Sequence, residues 1–155
     1  MKRCLITAVA GLAVFASFAQ PAFAQAAQTV MRMLSKEVAR ALSDRSESID
    51  KALVDASAKM NAHLPMQLDK DTRLDTTLAG PGNRLTYSYT LINLSAEDGD
   101  GDIVSRVMRP IILNGYKTDP QFAVFREHRT EMHLVYRDKD GKFVTRIIIS
   151  PNDLQ

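Results

Sequence analysis

Three histidines, His63, His128 and His133, are the only imidazoles in a chain of 155 residues. A nucleophile-and-base site would have to draw on one of them, and no G-x-S-x-G, H-E-x-x-H or S-x-x-K pattern surrounds any of the three. His128 and His133 stand five apart; on one strand they point to opposite faces and cannot share a metal ion, so a solvated or edge position suits each. Met60, His63 and Met66 spell M-x-x-H-x-x-M, whose thioethers and imidazole match a soft metal such as copper. Pro65 falls inside that motif. The reading these residues favour is structural: Met60 in a helix seam, His63 as a cation near the last carbonyls of the helix, and Met66 as a packing residue.

The carboxylates give no assembled site either. Asp98, Asp100 and Asp102 have the spacing of the first three calcium ligands of an EF-hand loop. The sixth position is Ile103, where a glycine makes the turn, and the twelfth is Arg109, where a glutamate closes the site. Asp138-Lys139-Asp140-Gly141 fails in the same way, with Ile149 at the twelfth position. A solvated loop and a hairpin turn account for the two, and neither a metal ligand nor a cofactor is assigned. Asp69 with Arg73 is the pair on which an enzyme acting on envelope polymers would rest, although sequence spacing does not set the carboxylate separation that such chemistry needs.

The first residues account for charge and thiol content. Met1-Lys2-Arg3 is followed by an uncharged apolar run from Cys4 to Ala19, then Gln20-Pro21 and the small-x-small triplet Ala22-Phe23-Ala24, which together have the layout of a cleavable signal peptide ending at Ala24. The run is too short for a retained anchor, which needs about 18 to 20 apolar residues. The chain holds 20 basic and 18 acidic residues; Lys2 and Arg3 leave with the leader and no acid does, so a mature chain from Gln25 carries 18 of each. A neutral balance gives no support for nucleic-acid binding or for an anionic-membrane patch. The sole cysteine, Cys4, leaves too, which excludes disulfides, a thiol nucleophile and the usual bacterial lipid attachment.

The elements follow from periodicity. About 131 residues after Ala24 suit one domain, 25–155. Met31, Leu34, Val38, Leu42, Ile49, Leu53, Ala56, Met60 and Leu64 recur at helical spacing, and the stretch Ser43-Asp44-Arg45-Ser46-Glu47-Ser48 leaves open one long helix or two collinear ones, the second capped by Ser46 or Ser48. Leu74, Thr76 and Leu78 alternate with polar residues, as do Leu85, Tyr87, Tyr89 and Leu91, with Gly80-Pro81-Gly82-Asn83 between them, so a hairpin is expected. Asp140-Gly141 predicts a second hairpin that pairs Met132 with Ile149, Leu134 with Ile147 and Tyr136 with Thr145. Between the hairpins, Ile103 to Ile112 has helical spacing with Pro110 spoiling a clean helix and Asn114-Gly115 as its stop; Asp119-Pro120 opens a short helix through Phe125. The expected fold class is α+β: an N-terminal amphipathic helix, continuous or broken in two, and a four-stranded antiparallel sheet from two hairpins, covered on one face by helices.

The most distinctive stretch is Asn61-Ala62-His63-Leu64-Pro65-Met66-Gln67-Leu68-Asp69-Lys70-Asp71-Thr72-Arg73-Leu74, followed by Tyr87-Ser88-Tyr89 and later Tyr136-Arg137-Asp138-Lys139-Asp140-Gly141. It resembles the pattern N-x-x-L-P-x-x-x-D-x-x-T-x-L, Y-x-Y, Y-R-D-x-D-G of a group of small exported bacterial proteins, a resemblance that implies no established activity. In physical terms Asp69 and Thr72 would brace the link from helix to strand and Arg73 would form an ion pair at the sheet edge. The functional reading is a recognition surface, since Tyr and Arg are common interface anchors. Its candidate residues are Asp69, Thr72, Arg73, Tyr87, Tyr89 and Tyr136.

These observations favour a soluble periplasmic or secreted protein without enzymatic activity that binds another envelope protein, as an inhibitor or immunity-like module or as an accessory of envelope assembly or secretion. A carrier of a small apolar or lipid ligand held between helices and sheet is the second expectation, and the Asp69 and Arg73 enzyme the third.

Overall fold

A computed structural model describes residues 21–43, 48–97 and 101–155. The expected leader therefore lies mostly outside the described residues, as do Ser46, Asp98 and Asp100. Helix α1, Pro21–Ser43, buries Ala27, Val30, Met31, Leu34 and Val38, one stripe at intervals of three and four. Helix α2, Ile49–Asn61, starts at Ser48, whose hydroxyl accepts from the Lys51 amide at 3.4 Å, and buries Ala52, Leu53, Ala56 and Met60. The two helices are neither continuous nor collinear. In a single helix Glu37 and Lys59 would be about 33 Å apart, yet Lys59 Nζ lies 3.6 Å from Glu37 Oε2, so α2 folds back along α1 and both stripes join one core.

The sheet has five strands in the order β1-β2-β3-β4-β5: Met66–Gln67, Thr72–Gly80, Arg84–Leu91, Glu131–Arg137 and Phe143–Ile149. Two features differ from the expected four-stranded antiparallel sheet. A short strand, β1, follows the cis Leu64–Pro65 peptide and pairs Met66 with Leu74. The two hairpins join through β3 and β4, which run parallel, Leu85 beside Met132 and Tyr89 beside Tyr136, because the connection between them is a helical crossover. That crossover is α3, Gly101–Thr118, then a 3-10 turn at Pro120–Phe122 and α4, Ala123–Glu127. Helix α3 runs through Pro110: Pro110 and Arg106, whose carbonyl loses its donor, are both exposed, so the orphaned oxygen faces water. It also runs past Gly115, which is buried beneath Gln28 of α1 where a Cβ would overlap the amide. Asp119 caps the next turn, accepting from the Gln121 amide at 2.8 Å.

The β4–β5 register is the expected one, Met132 with Ile149, Leu134 with Ile147 and Tyr136 with Thr145. The connection is wider than a two-residue turn because β5 bulges at Val144, so that Arg137 pairs with Phe143 opposite a single step of β4. A second bulge in β2 between Leu74 and Thr76 reverses the alternation, so Thr77 is buried and Leu78 stands 66% exposed, opposite Thr86. One core lies between the helices and the inner sheet face, with Tyr87, Tyr89, Tyr136, Phe122 and Phe125 among its largest side chains.

Candidate functional site

The face of the sheet turned away from the helices is the broadest polar surface whose residues the strands hold in register. One row across it is Leu78, Thr86, His133, Ile148; the next is Thr76, Ser88, Val135, Arg146. Ile148 is 39% exposed and Arg146 is exposed beside it. At the end of the sheet nearest β1, Arg73 crosses to Thr90 and Thr90 to Arg137. The Arg73 Nε donates to Asp75 Oδ1 at 2.5 Å, and the Thr90 hydroxyl donates to Asp75 Oδ2 at 2.5 Å. The bulge after Leu74 puts Asp75 within reach of both. At the opposite end Glu131 accepts from Arg84 Nε at 3.1 Å and lies 2.6 Å from His133 Nε2; the hydrogen bond to His133, and then that to Arg84, holds the Glu131 carboxyl below the ordinary carboxylate range. Arg73 and Arg84 are thus matched by acids. Arg137 and Arg146 have no acidic partner among the described residues, so the face carries surplus positive charge, Arg146 next to Ile148 and Arg137 at the β1 end.

Of the six candidate residues, only Arg73 belongs to this face. Tyr87, Tyr89 and Tyr136 are a correction: all three are fully buried on the inner face, Tyr87 and Tyr89 with ring centroids 6.4 Å apart and Tyr89 and Tyr136 with centroids 5.1 Å apart. They share strands and parity with Leu85, Leu91, Met132 and Leu134, so the side that takes the leucines into the core takes the tyrosines too. Burial raises all three phenols well above their usual pKa, and Tyr116, whose hydroxyl donates to the Thr130 carbonyl, is pushed up to about 12 by the same cause. Asp69 and Thr72 shape the turn between β1 and β2: the Leu68 and Asp69 amides both reach the Thr72 carbonyl, and Asp69 Oδ1 accepts from the Asp71 amide at 2.8 Å. Arg73 is paired with Asp75, so Asp69 and Arg73 do not form the pair that the enzyme reading requires.

Asp138 does more than begin the β4–β5 turn. Its buried carboxylate accepts from the amides of Ala96 at 2.9 Å, Asp140 at 2.9 Å and Lys142 at 2.8 Å. Those bonds, the one from Ala96 foremost, hold it below the usual range, and they tie the β4–β5 turn to the chain leaving β3. On the helical side two grooves open. One, of about 610 Å³, lies between α1, the end of α2 and β1, and the other, of about 510 Å³, lies between α1 and α4 with Leu42, Val124 and His128 on its walls. His128 sits at the end of α4 and not on a strand, so it shares no site with His133. No group of three or more His, Cys, Asp or Glu side chains is placed to hold a metal among the described residues. No described helix is long and apolar enough to cross a membrane.

No protein-family model matches the chain, and no curated protein does. Among solved structures, a candidate secreted protein from Pseudomonas aeruginosa superposes with a TM-score of 0.57 at 11% identity, over 68% of this chain and 92% of that one. The type II secretion system pilotin AspS from Vibrio cholerae gives 0.47 at 7% identity, over 64% and 86%. The type 2 secretion system pilotin EpsS from Vibrio vulnificus gives 0.49 at 8% identity, over 66% and 87%. The Pseudomonas aeruginosa likeness is one of fold, and it places the α+β arrangement among small bacterial proteins.

Proposed function

We propose that the chain is a small exported binding protein of the bacterial envelope, without enzymatic activity, that docks the open face of its sheet onto an acidic patch of another envelope protein. The observation that carries this reading is the make-up of that face, in which Arg137 and Arg146 lack acidic partners among the described residues and share the surface with the exposed Leu78 and Ile148. Arginine beside apolar side chains is the composition of interface hot spots, and a partner that brings carboxylates completes the two guanidinium groups. The leader-like residues from Met1 to Ala24, the pattern shared with small exported proteins and the fold likeness to a candidate secreted protein all support export. The carrier reading has less behind it, because Tyr87, Tyr89 and Tyr136 fill the inner sheet face on which a lipid would lie.

Placing a photo-crosslinking side chain at Leu78, Arg146 and Ile148 in living cells tests this. The same partner should be captured from all three positions and not from the exposed Val54 on α2, at the back of the molecule. Capture from Val54 as strong as from the sheet, or none from the three sheet positions, would overturn the reading.

A further inference from the structure

The groove between α1, the end of α2 and β1 gathers four soft donors. Met60 lies in the last turn of α2; His63 follows three residues later in the turn where its amide reaches the Met60 carbonyl at 2.9 Å; Met66 opens β1 and is fixed there by its pairing with Leu74. The chain reverses between Asn61 and Met66, so these three residues curl round one hollow. The fourth donor comes from elsewhere in the sequence: α1 lies along α2 in a register marked by the Glu37 to Lys59 ion pair, and this brings Met33 to the same groove. Met33 is 44% exposed on an otherwise polar side of α1, where packing gives it nothing to do, and Met60 closes the floor from the edge of the core.

We propose that Met33, Met60, His63 and Met66 form a binding site for a soft monovalent metal ion, Cu(I) or its surrogate Ag(I). Thioether and neutral imidazole are the ligands that soft ions select, and thioethers bind without losing a proton. They suit an exported chain whose only cysteine, Cys4, precedes the expected cleavage point, since methionine gives a sulfur site that cannot be lost to disulfide formation. The charges round the groove bear on which ion it takes and not on how tightly. Glu37 holds Arg40 at 3.1 Å and Lys59 at 3.6 Å, and Lys36 lies alongside, so the rim is basic with one carboxylate already engaged. Such a rim repels a divalent ion twice as strongly as a monovalent one, and it offers hard cations no oxygen cluster. This inference stands apart from the sheet-face reading, because the groove and the sheet face are on different sides of the molecule.

The test uses the full chain carrying Cys4→Ser, so that no thiol competes. Under anaerobic conditions it should take one equivalent of Cu(I) from a chromophoric Cu(I) chelator. Met33→Leu and His63→Gln, both at exposed positions, should each weaken that binding about tenfold or more, since even outer-shell changes cost metal sites that much, while thermal unfolding of the metal-free variants stays unchanged. With methyl-labelled methionine, Ag(I) should move the signals of Met33, Met60 and Met66 and leave the buried Met108 and Met132 in place. Failure to take up Cu(I), wild-type affinity in both variants, or shifts spread over Met108 and Met132 would each overturn the site.

Discussion

All four tyrosines of the chain lie in the layer between sheet and helices, and burial there keeps each phenol in its neutral form. Tyr116 is pushed up to about 12 and the other three are raised as well. In the unfolded chain the same phenols ionise near a pKa of about 10. Below that value the folded and unfolded states bind equal numbers of tyrosine protons; above it the folded state keeps protons that the unfolded state has lost. Each such proton costs about 1.4 kcal/mol of stability per pH unit, so stability present below pH 10 drains away as pH rises toward the folded values. Absorbance at 295 nm should therefore stay flat past pH 10 and then rise for all four tyrosines together with the loss of circular dichroism; a separate early ionisation in a folded chain would contradict their burial. The placement of these side chains was legible from alternation, because Leu85 and Leu91 share parity with Tyr87 and Tyr89, and a face holding leucines goes inward. Residue type alone, which suits tyrosine to interfaces, does not carry that information about the face. Asp138 was not legible in the same way. Its key donor, the Ala96 amide, is 42 residues distant, and no local spacing announces it.

At the scale of elements, the close approaches decide how the helices lie on the sheet. Gly101 opens α3 directly against β5: a Cβ there would overlap the Val144 carbonyl oxygen, which is backbone and cannot swing away. Gly101→Ala should destabilise the fold by about 1 to 3 kcal/mol, as overpacking does, despite alanine's better helix propensity. Gly80→Ala is the control, since its nearest neighbour would be the Arg84 side chain at 3.7 Å, an ordinary contact. Urea unfolding of the two variants should separate them; equal midpoints would mean that α3 is free to shift on β5. The same contrast marks what sequence could reveal. The β4–β5 register could be read because turn chemistry and apolar alternation are both local, and Ser48 and Asp119 could be read as caps for the same reason. The bulge at Asp75 could not, since it depends on the cross-strand partner Thr90 as well as the neighbouring Arg73. The parallel pairing of β3 with β4 depends on where a long crossover delivers the chain, and the fold-back of α2 along α1 depends on a shared core; periodicity carries neither.

Across the whole molecule, zero net charge after residue 24 does not mean an even surface. The open sheet face keeps two guanidinium groups without acids, the groove by α1 has a basic rim, and the balancing carboxylates are spread over turns and helix surfaces. Local fields of this kind steer encounters even when the total is zero, and they weaken as salt shortens their reach to about 10 Å at 0.1 M. Neutrality, unlike this segregation, requires the removal of Lys2 and Arg3, and the fold is compatible with such a cut. The buried stripe of α1 begins at Ala27, so a cut after Ala24 takes nothing from the described core while leaving most of the helix in place. The exported form should thus begin at Gln25 and focus near neutrality, well below the value of about 8.8 for the full chain. Intact mass and isoelectric focusing of protein recovered from the envelope or the medium measure both at once. A recovered chain that retains residues 1–24, or one cut inside α1 beyond Ala27, would break the link between export and a neutral, thiol-free chain.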